Sequence, residues 1–198
     1  MDFQNDLEYQ RLQAAIEASA ADLENCSNVD YVPQKRRLHM WALADMGDFF
    51  YKKGLYSDAL PYYTLAKKFD CDETSVLNQM GICLMHLVKI ERALYYFEQM
   101  CQRTDAPSDK ALAWYNISVC YRSHTSKPML HEAILAMKKS VKHLDNEEGK
   151  AILEQLKQLH STQHYLHARG TLFSSQKRAP NEEQNVLHKH RSPSMAME

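Results

Sequence analysis

The chain has 198 residues, enough for one domain with a substantial core, and its 24 basic and 25 acidic residues nearly cancel. That balance argues against a global field that would steer the protein to nucleic acid or to an anionic membrane, so partner choice falls to a local surface. Only 5 Gly and 6 Pro interrupt a background rich in Ala, Leu, Met, Gln, Glu and Lys, which favours helices over sheet.

The first residues, Met1-Asp2-Phe3-Gln4-Asn5-Asp6, open with carboxylates and lead into no uninterrupted apolar run. Neither a signal peptide nor a membrane-inserted segment is expected, and the location expected is cytoplasmic. Tyr9, Leu12, Ile16 and Leu23 then form an apolar stripe at helical spacing, predicting an amphipathic helix from about Asp6 to Asn25. The stripe is expected to pack on the element that follows; a homodimer contact or a lid is the functional alternative. Residues 25–33 read as a linker, so the helix and linker together occupy 1–33.

Beyond the linker the sequence repeats itself. Met46, Gly47, Ala59 and Tyr63 recur as Met80, Gly81, Ala93 and Phe97, each thirty-four residues later. That period accommodates two helices and their turns. Within the first unit, Gly54 can end one helix and Asp58-Ala59 can begin the next. A third unit follows as Trp114-Tyr115-Asn116-Ile117-Ser118-Val119-Cys120-Tyr121, then Ala133 and Met137, after a longer connection around Lys127-Pro128. Small residues (Gly47, Gly81 and Ser118; Ala59, Ala93 and Ala133) permit close helix contact. Tyr63, Phe97 and Met137 stand one turn after the alanines on the same face.

On these residues, from about Trp41 to Leu144, the chain resembles the tetratricopeptide repeat (TPR) family, whose motif runs W-x2-L-G-x2-Y, then A-x3-F, then A and P. Cys71 stands where the first unit would end on proline, and Ser118 replaces the third glycine. The resemblance implies an all-α, right-handed superhelix of antiparallel helix pairs, with three repeats at about 40–72, 74–106 and 111–145 inside residues 34–146. Ile152, Leu153, Leu156, Leu159 and Leu166 mark a capping helix over 147–169, and 170–198 lack periodicity and read as a disordered tail.

Candidate chemistry is sparse. Five cysteines, Cys26, Cys71, Cys83, Cys101 and Cys120, form no C-x-x-C pair and are expected to be buried apolar groups or idle thiols. His160, His164 and His167 share a helical spacing, but they extend the Leu153–Leu156 stripe and lack a supporting ligand set, so semi-buried packing is the expectation rather than a metal site. His188-Lys189-His190 and Arg191-Ser192-Pro193-Ser194 lie in the tail, and Lys35-Arg36-Arg37 reads as a solvated helix start. With no phosphate loop and no nucleophile elbow, no enzyme, cofactor or metal is expected.

In the TPR family the first helix of each repeat lines a concave groove. The resemblance thus places Trp41, Ala44, Asp48, Tyr51 and Lys52 on that face in the first unit. Ser75, Asn78, Ile82, Met85 and His86 follow in the second, and Leu112, Tyr115, Val119, Arg122 and Ser123 in the third. Some members clamp the C-terminal carboxylate of heat-shock chaperones with Lys, Asn and Arg. Here Leu112 stands where such a clamp presents Lys, and Asp48 where it presents Asn. The face suits an extended peptide with apolar anchors, and burial of the same side chains under neighbouring helices is the structural alternative. The plan of N-terminal helix, three repeats and solvating helix, with Phe50-Tyr51-Lys52-Lys53-Gly54 before Asp58-Ala59, also resembles the type III secretion chaperones that protect translocator proteins. The function expected is protein binding through an apolar segment, as a cytosolic chaperone or adaptor. A structural subunit of a stable assembly is the alternative.

Overall fold

In the computed structural model, which describes residues 3–69, 73–124 and 129–176, eight α-helices and one 3₁₀ turn follow one another. Among the described residues no strand forms. Helix α1 (Leu7–Glu24) starts where the Asp6 carboxylate accepts the backbone N–H groups of Glu8 and Tyr9, at 3.0 and 3.4 Å. Lys53 Nζ lies 3.0 Å from Asp6 Oδ2 and 4.5 Å from the centre of the Phe49 ring, joining the start of α1 to the end of the next helix. That hydrogen bond is the main reason the Asp6 carboxyl titrates below its ordinary value. Tyr9, Leu12 and Ile16, with Phe3, pack on a core built from Met40, Leu43, Phe49 and Phe50. Tyr9, Leu12 and Ile16 of the α1 stripe are thereby partly buried within the chain.

A 3₁₀ turn at Val29–Tyr31 leads directly into α2 (Val32–Lys52). The helix begins earlier than the expected linker boundary because Pro33 sits in its first turn, where the missing N–H has no partner to lose. Three helix pairs follow: α2 with α3 (Tyr56–Phe69), α4 (Thr74–His86) with α5 (Ile90–Arg103), and α6 (Pro107–Arg122) with α7 (Leu130–His143). Pairing depends on the small residues. A Cβ on Gly47 would come within 2.7 Å of the Tyr63 ring, and one on Gly81 within 2.5 Å of the Phe97 ring. In the third pair the positions that correspond in sequence hold Ser118 and Met137, both buried.

The turns inside the first two pairs share one hydrogen-bond pattern. Gly54 N–H and Leu55 N–H donate to Tyr51 and Phe50 carbonyls at 2.9 Å; Val88 N–H and Lys89 N–H donate to Met85 and Leu84 at 2.9 and 2.8 Å. Both turns need a left-handed residue, supplied by Gly54 at φ 74° and by Val88 at φ 58°. Cys71 and the Lys127-Pro128 connection lie outside the described residues.

Helix α8 spans Glu147–Gln176. Asn146 Oδ1 accepts the Gly149 N–H at 2.6 Å, and Ile152, Leu153 and Leu156 then pack on Ala133, Ile134 and Met137 of α7. Burial of Leu156 alone is worth roughly 1.5–3 kcal/mol. Contacts divide the chain into one unit ending at Leu156 and a second beginning at Lys157. In the second unit His160 is half-buried as expected, but Leu159, His164, Leu166 and His167 are exposed, where the leucine stripe and its histidines were expected to pack. The helix also passes through Gly170 to Gln176, where a structureless tail was expected. A single helical glycine costs only about 1 kcal/mol against alanine, and no proline intervenes before Pro180. Residues from 177 onward, with the lysine, histidine and Ser-Pro motifs of the tail, lie outside the described residues.

Candidate partner-binding face

Helices α2, α4 and α6 are the first members of their pairs, and they carry the residues expected to line the groove except Ser123, which follows the end of α6. Trp41, Lys52, His86, Leu112 and Arg122 are exposed; Asp48, Tyr51, Asn78, Ile82, Met85, Tyr115 and Val119 are half-buried. None is a buried core residue. Their inner atoms touch the core while their outer atoms remain open, as when Ile82 and Met85 lean on the cluster around Leu84 and Phe97.

Two cavities open on these helices and share Leu112 as a wall. The first, of about 340 Å³, lies between the middle of α2 and the starts of α4 and α6, with Ala44, Asp48, Thr74, Asn78, Gln79 and Asp109 in its lining. The second, of about 280 Å³, is lined by Leu112, Tyr115, Met137, Leu144 and Ile152, with Asn146 and Glu148 at the α7–α8 turn. It is the more apolar of the two.

Electrostatics differ between them. Asp48 Oδ1 accepts the Tyr63 hydroxyl at 2.5 Å and the Gln79 amide at 3.4 Å. Burial, with the Asp48 bond second, pushes the Tyr63 hydroxyl far above the ordinary phenol range, so it stays a donor. Asp109 Oδ2 accepts hydroxyls from Thr74 and Thr104, both at 3.2 Å, tying the second repeat to the third. The Asn116 amide donates to Asn78 Oδ1 at 2.8 Å across the same junction. Beside Asp48 on α2, burial and then the neighbouring Asp48 raise the pKa of the Asp45 carboxyl, with Lys52 acting against them.

A separate aromatic edge forms at the ends of α2 and α4. Tyr51 meets His86 with ring centroids 6.4 Å apart, and Tyr56 stacks on His86 at 4.0 Å and 3°. Of the expected residues, Ala44, Asp48, Ser75, Asn78 and Leu112 line the first cavity, and Leu112 and Tyr115 the second. Trp41, Tyr51, Lys52, Ile82, Met85, His86, Val119 and Arg122 line neither. Sequence reasoning missed Asp109, Gln79 and Thr74 on the first helices, and Met137, Leu144 and Ile152, which arrive from α7, α8 and their turn. Only a count of every polar residue near the starts of α4 and α6 could have flagged the former.

Burial pushes the Cys83 and Cys120 thiols up to about 12 and the Cys101 thiol up to about 11, which keeps these three in the weakly nucleophilic thiol form. Among the described residues no group of three His, Cys, Asp or Glu is placed to hold a metal ion, and no helix is long and apolar enough to cross a membrane.

No protein-family profile matches the chain, and no curated protein matches it. Solved structures do. The structure described as the first TPR of Spaghetti (RPAP3) bound to HSP90 peptide SRMEEVD is 18% identical, with a TM-score of 0.53 over 62% of this chain and 93% of that one. The N-terminal domain of stress-induced protein-1 (STI-1) from C. elegans is 17% identical, with a TM-score of 0.55 over 66% and 99%. The chain has the tetratricopeptide-repeat fold.

Proposed function

We propose that the protein is a non-catalytic interaction module whose inner helix face holds an extended apolar segment of a partner protein, acting in the cytoplasm as a chaperone or adaptor. The observation that carries this reading is the half-open row of side chains on α2, α4 and α6 beside an apolar cavity at Leu112, Tyr115, Met137 and Ile152. An apolar anchor entering such a cavity supplies affinity, and the surrounding Asn and Gln amides orient the peptide backbone. The RPAP3 structure shows that its TPR holds a peptide, SRMEEVD. That peptide has three carboxylate side chains. Asp48 and Asp109 would repel them here, so the partner segment is of another kind.

A client of a type III secretion system is one member of this class, motivated by the Phe50–Ala59 pattern and the helix plan. Because Tyr9, Leu12 and Ile16 face the core, a homodimer through α1 would have to use its outer side. The second reading, a structural subunit of a stable assembly, is favoured by the exposed Leu159, Tyr165 and Leu166 on the second unit.

Co-purification from the native host with mass spectrometry identifies the partner, and calorimetric titration of its apolar segment tests the face. Tyr51→Ala should weaken binding by more than about 1 kcal/mol while Lys177→Ala leaves it unchanged. Normal binding by a folded Tyr51→Ala protein would remove the aromatic edge from the interface. Normal binding by a folded Leu112→Glu protein would remove the inner face altogether.

A further inference from the structure

The two cavities on either side of Leu112 take different chemistry. We propose that the face selects a segment in which an apolar side chain, seated in the Leu112–Tyr115–Ile152 cavity, lies within a few residues of a Lys or Arg whose head group enters the Asp48–Asp109 cavity. This rests on the inner face being the partner-binding surface.

Charge complementarity identifies the occupant. Asp48 and Asp109 both line the larger of these two cavities, and among the described residues no lysine or arginine does. The hydrogen-bond donors to these carboxylates are neutral: hydroxyls of Tyr63, Thr74, Thr104 and Ser108, and the Gln79 amide. Such donors orient a carboxylate without cancelling its charge. The start of α4, whose free N–H groups would otherwise favour an anion, is already met by Glu73, which accepts the Ser75 N–H at 3.4 Å and the Ser75 hydroxyl at 2.8 Å. Lys52, one turn beyond Asp48 on α2, acts on Asp45 and does not line the cavity. Glu148, in the lining of the apolar cavity, adds charge of the same sign. A Lys ammonium brings three donors and an Arg guanidinium five, and the walls offer two carboxylates, the Asn78 and Gln79 amides and the Thr74 and Ser75 hydroxyls. The shared Leu112 puts the two subsites next to each other, within reach of one extended segment.

The test uses the full chain, immobilised, and a randomised library of short end-capped peptides. Retained peptides should be enriched in Leu, Met or Phe together with Lys or Arg, and depleted in Asp and Glu. For one synthetic peptide of the consensus, Asp48→Asn and Asp109→Asn should each weaken binding on the order of tenfold, and neither should affect the same peptide with norleucine in place of its cation. Circular dichroism checks folding; because Asp109 also joins two repeats, Asp48→Asn keeps the test decisive if Asp109→Asn unfolds. Affinity for the cationic peptide should also fall several-fold as salt rises to about 0.5 M. Enrichment of apolar residues without a cation, or with an acid, overturns the inference and leaves the inner-face reading standing. Retention that persists in Leu112→Glu, or no retention, overturns both.

Discussion

Val88 stands thirty-four residues after Gly54 and occupies the same turn, yet it is β-branched at φ 58°. The left-handed conformation costs a non-glycine residue roughly 1–2 kcal/mol, and Val88 recovers little by burial because 60% of it is exposed. Val88→Gly should therefore stabilise the protein by about 1 kcal/mol, read as a higher urea midpoint at unchanged slope. Gly81 presents the reverse case. Its missing Cβ makes room for Phe97, so Gly81→Ala should cost about 1–3 kcal/mol. Adding Phe97→Leu should return part of that loss, because the branched side chain withdraws the ring atoms that a Cβ would strike. If the double variant is no more stable than Gly81→Ala alone, the ring contact is not the source. Gly47, Gly81, Tyr63 and Phe97 were legible in the sequence because the period exposes them as a set. The valine's strain was not, since a residue's identity does not reveal its φ.

At the scale of elements, what the sequence concealed lies where local signals point the wrong way. Pro33 reads as a linker residue and proves to be the second residue of α2; Gly170 reads as an end and lies inside α8. The family resemblance pointed to the first-helix face but gave no sign of the cavity walls, because Met137, Leu144 and Ile152 come from elements that repeat arithmetic assigns to packing and capping. The α1–α2 contact carries a pH dependence. His39 Nδ1 lies 2.9 Å from the Ser19 hydroxyl, and its ring meets Phe69 edge-on at 4.6 Å. Burial lowers its pKa below the ordinary 6.5, so the folded chain holds it neutral where the unfolded chain takes up a proton. Stability from this group is thus complete above 6.5 and is lost progressively as the pH falls through 6.5 towards the depressed folded value. His39→Gln should show a shallower fall in urea midpoint between about pH 7 and pH 5 than the parent protein. Equal slopes would mean that the other histidines account for the acid sensitivity.

For the molecule as a whole, the repeat array has an end that must be closed. Ala133, Ile134 and Met137 on α7 have no fourth repeat to cover them, and the first turns of α8 do so with Ile152, Leu153 and Leu156. Among the described side chains, the core contribution of α8 stops near Leu156, because Leu159 and residues 161–167 are exposed. Two truncations separate these parts. A chain ending at His160 keeps Leu156, the buried α8 side chain among the described residues, and should melt within a few degrees of the full protein. A chain ending at Asn146 bares the α7 face and loses three packed apolar side chains, each worth up to roughly 1.5–3 kcal/mol when fully buried, so its melting temperature should fall by about 10 °C or more. It should also bind a hydrophobic dye and self-associate, since the uncovered face is a contiguous apolar patch. The same truncation removes Glu148 and Ile152 from the apolar cavity, so a peptide held there should be lost even at temperatures where the shortened array remains folded. Differential scanning calorimetry of both chains, with dye fluorescence alongside, reads the outcome. Equal melting of the two would show that α8 is no cap and that α7 closes the array without it.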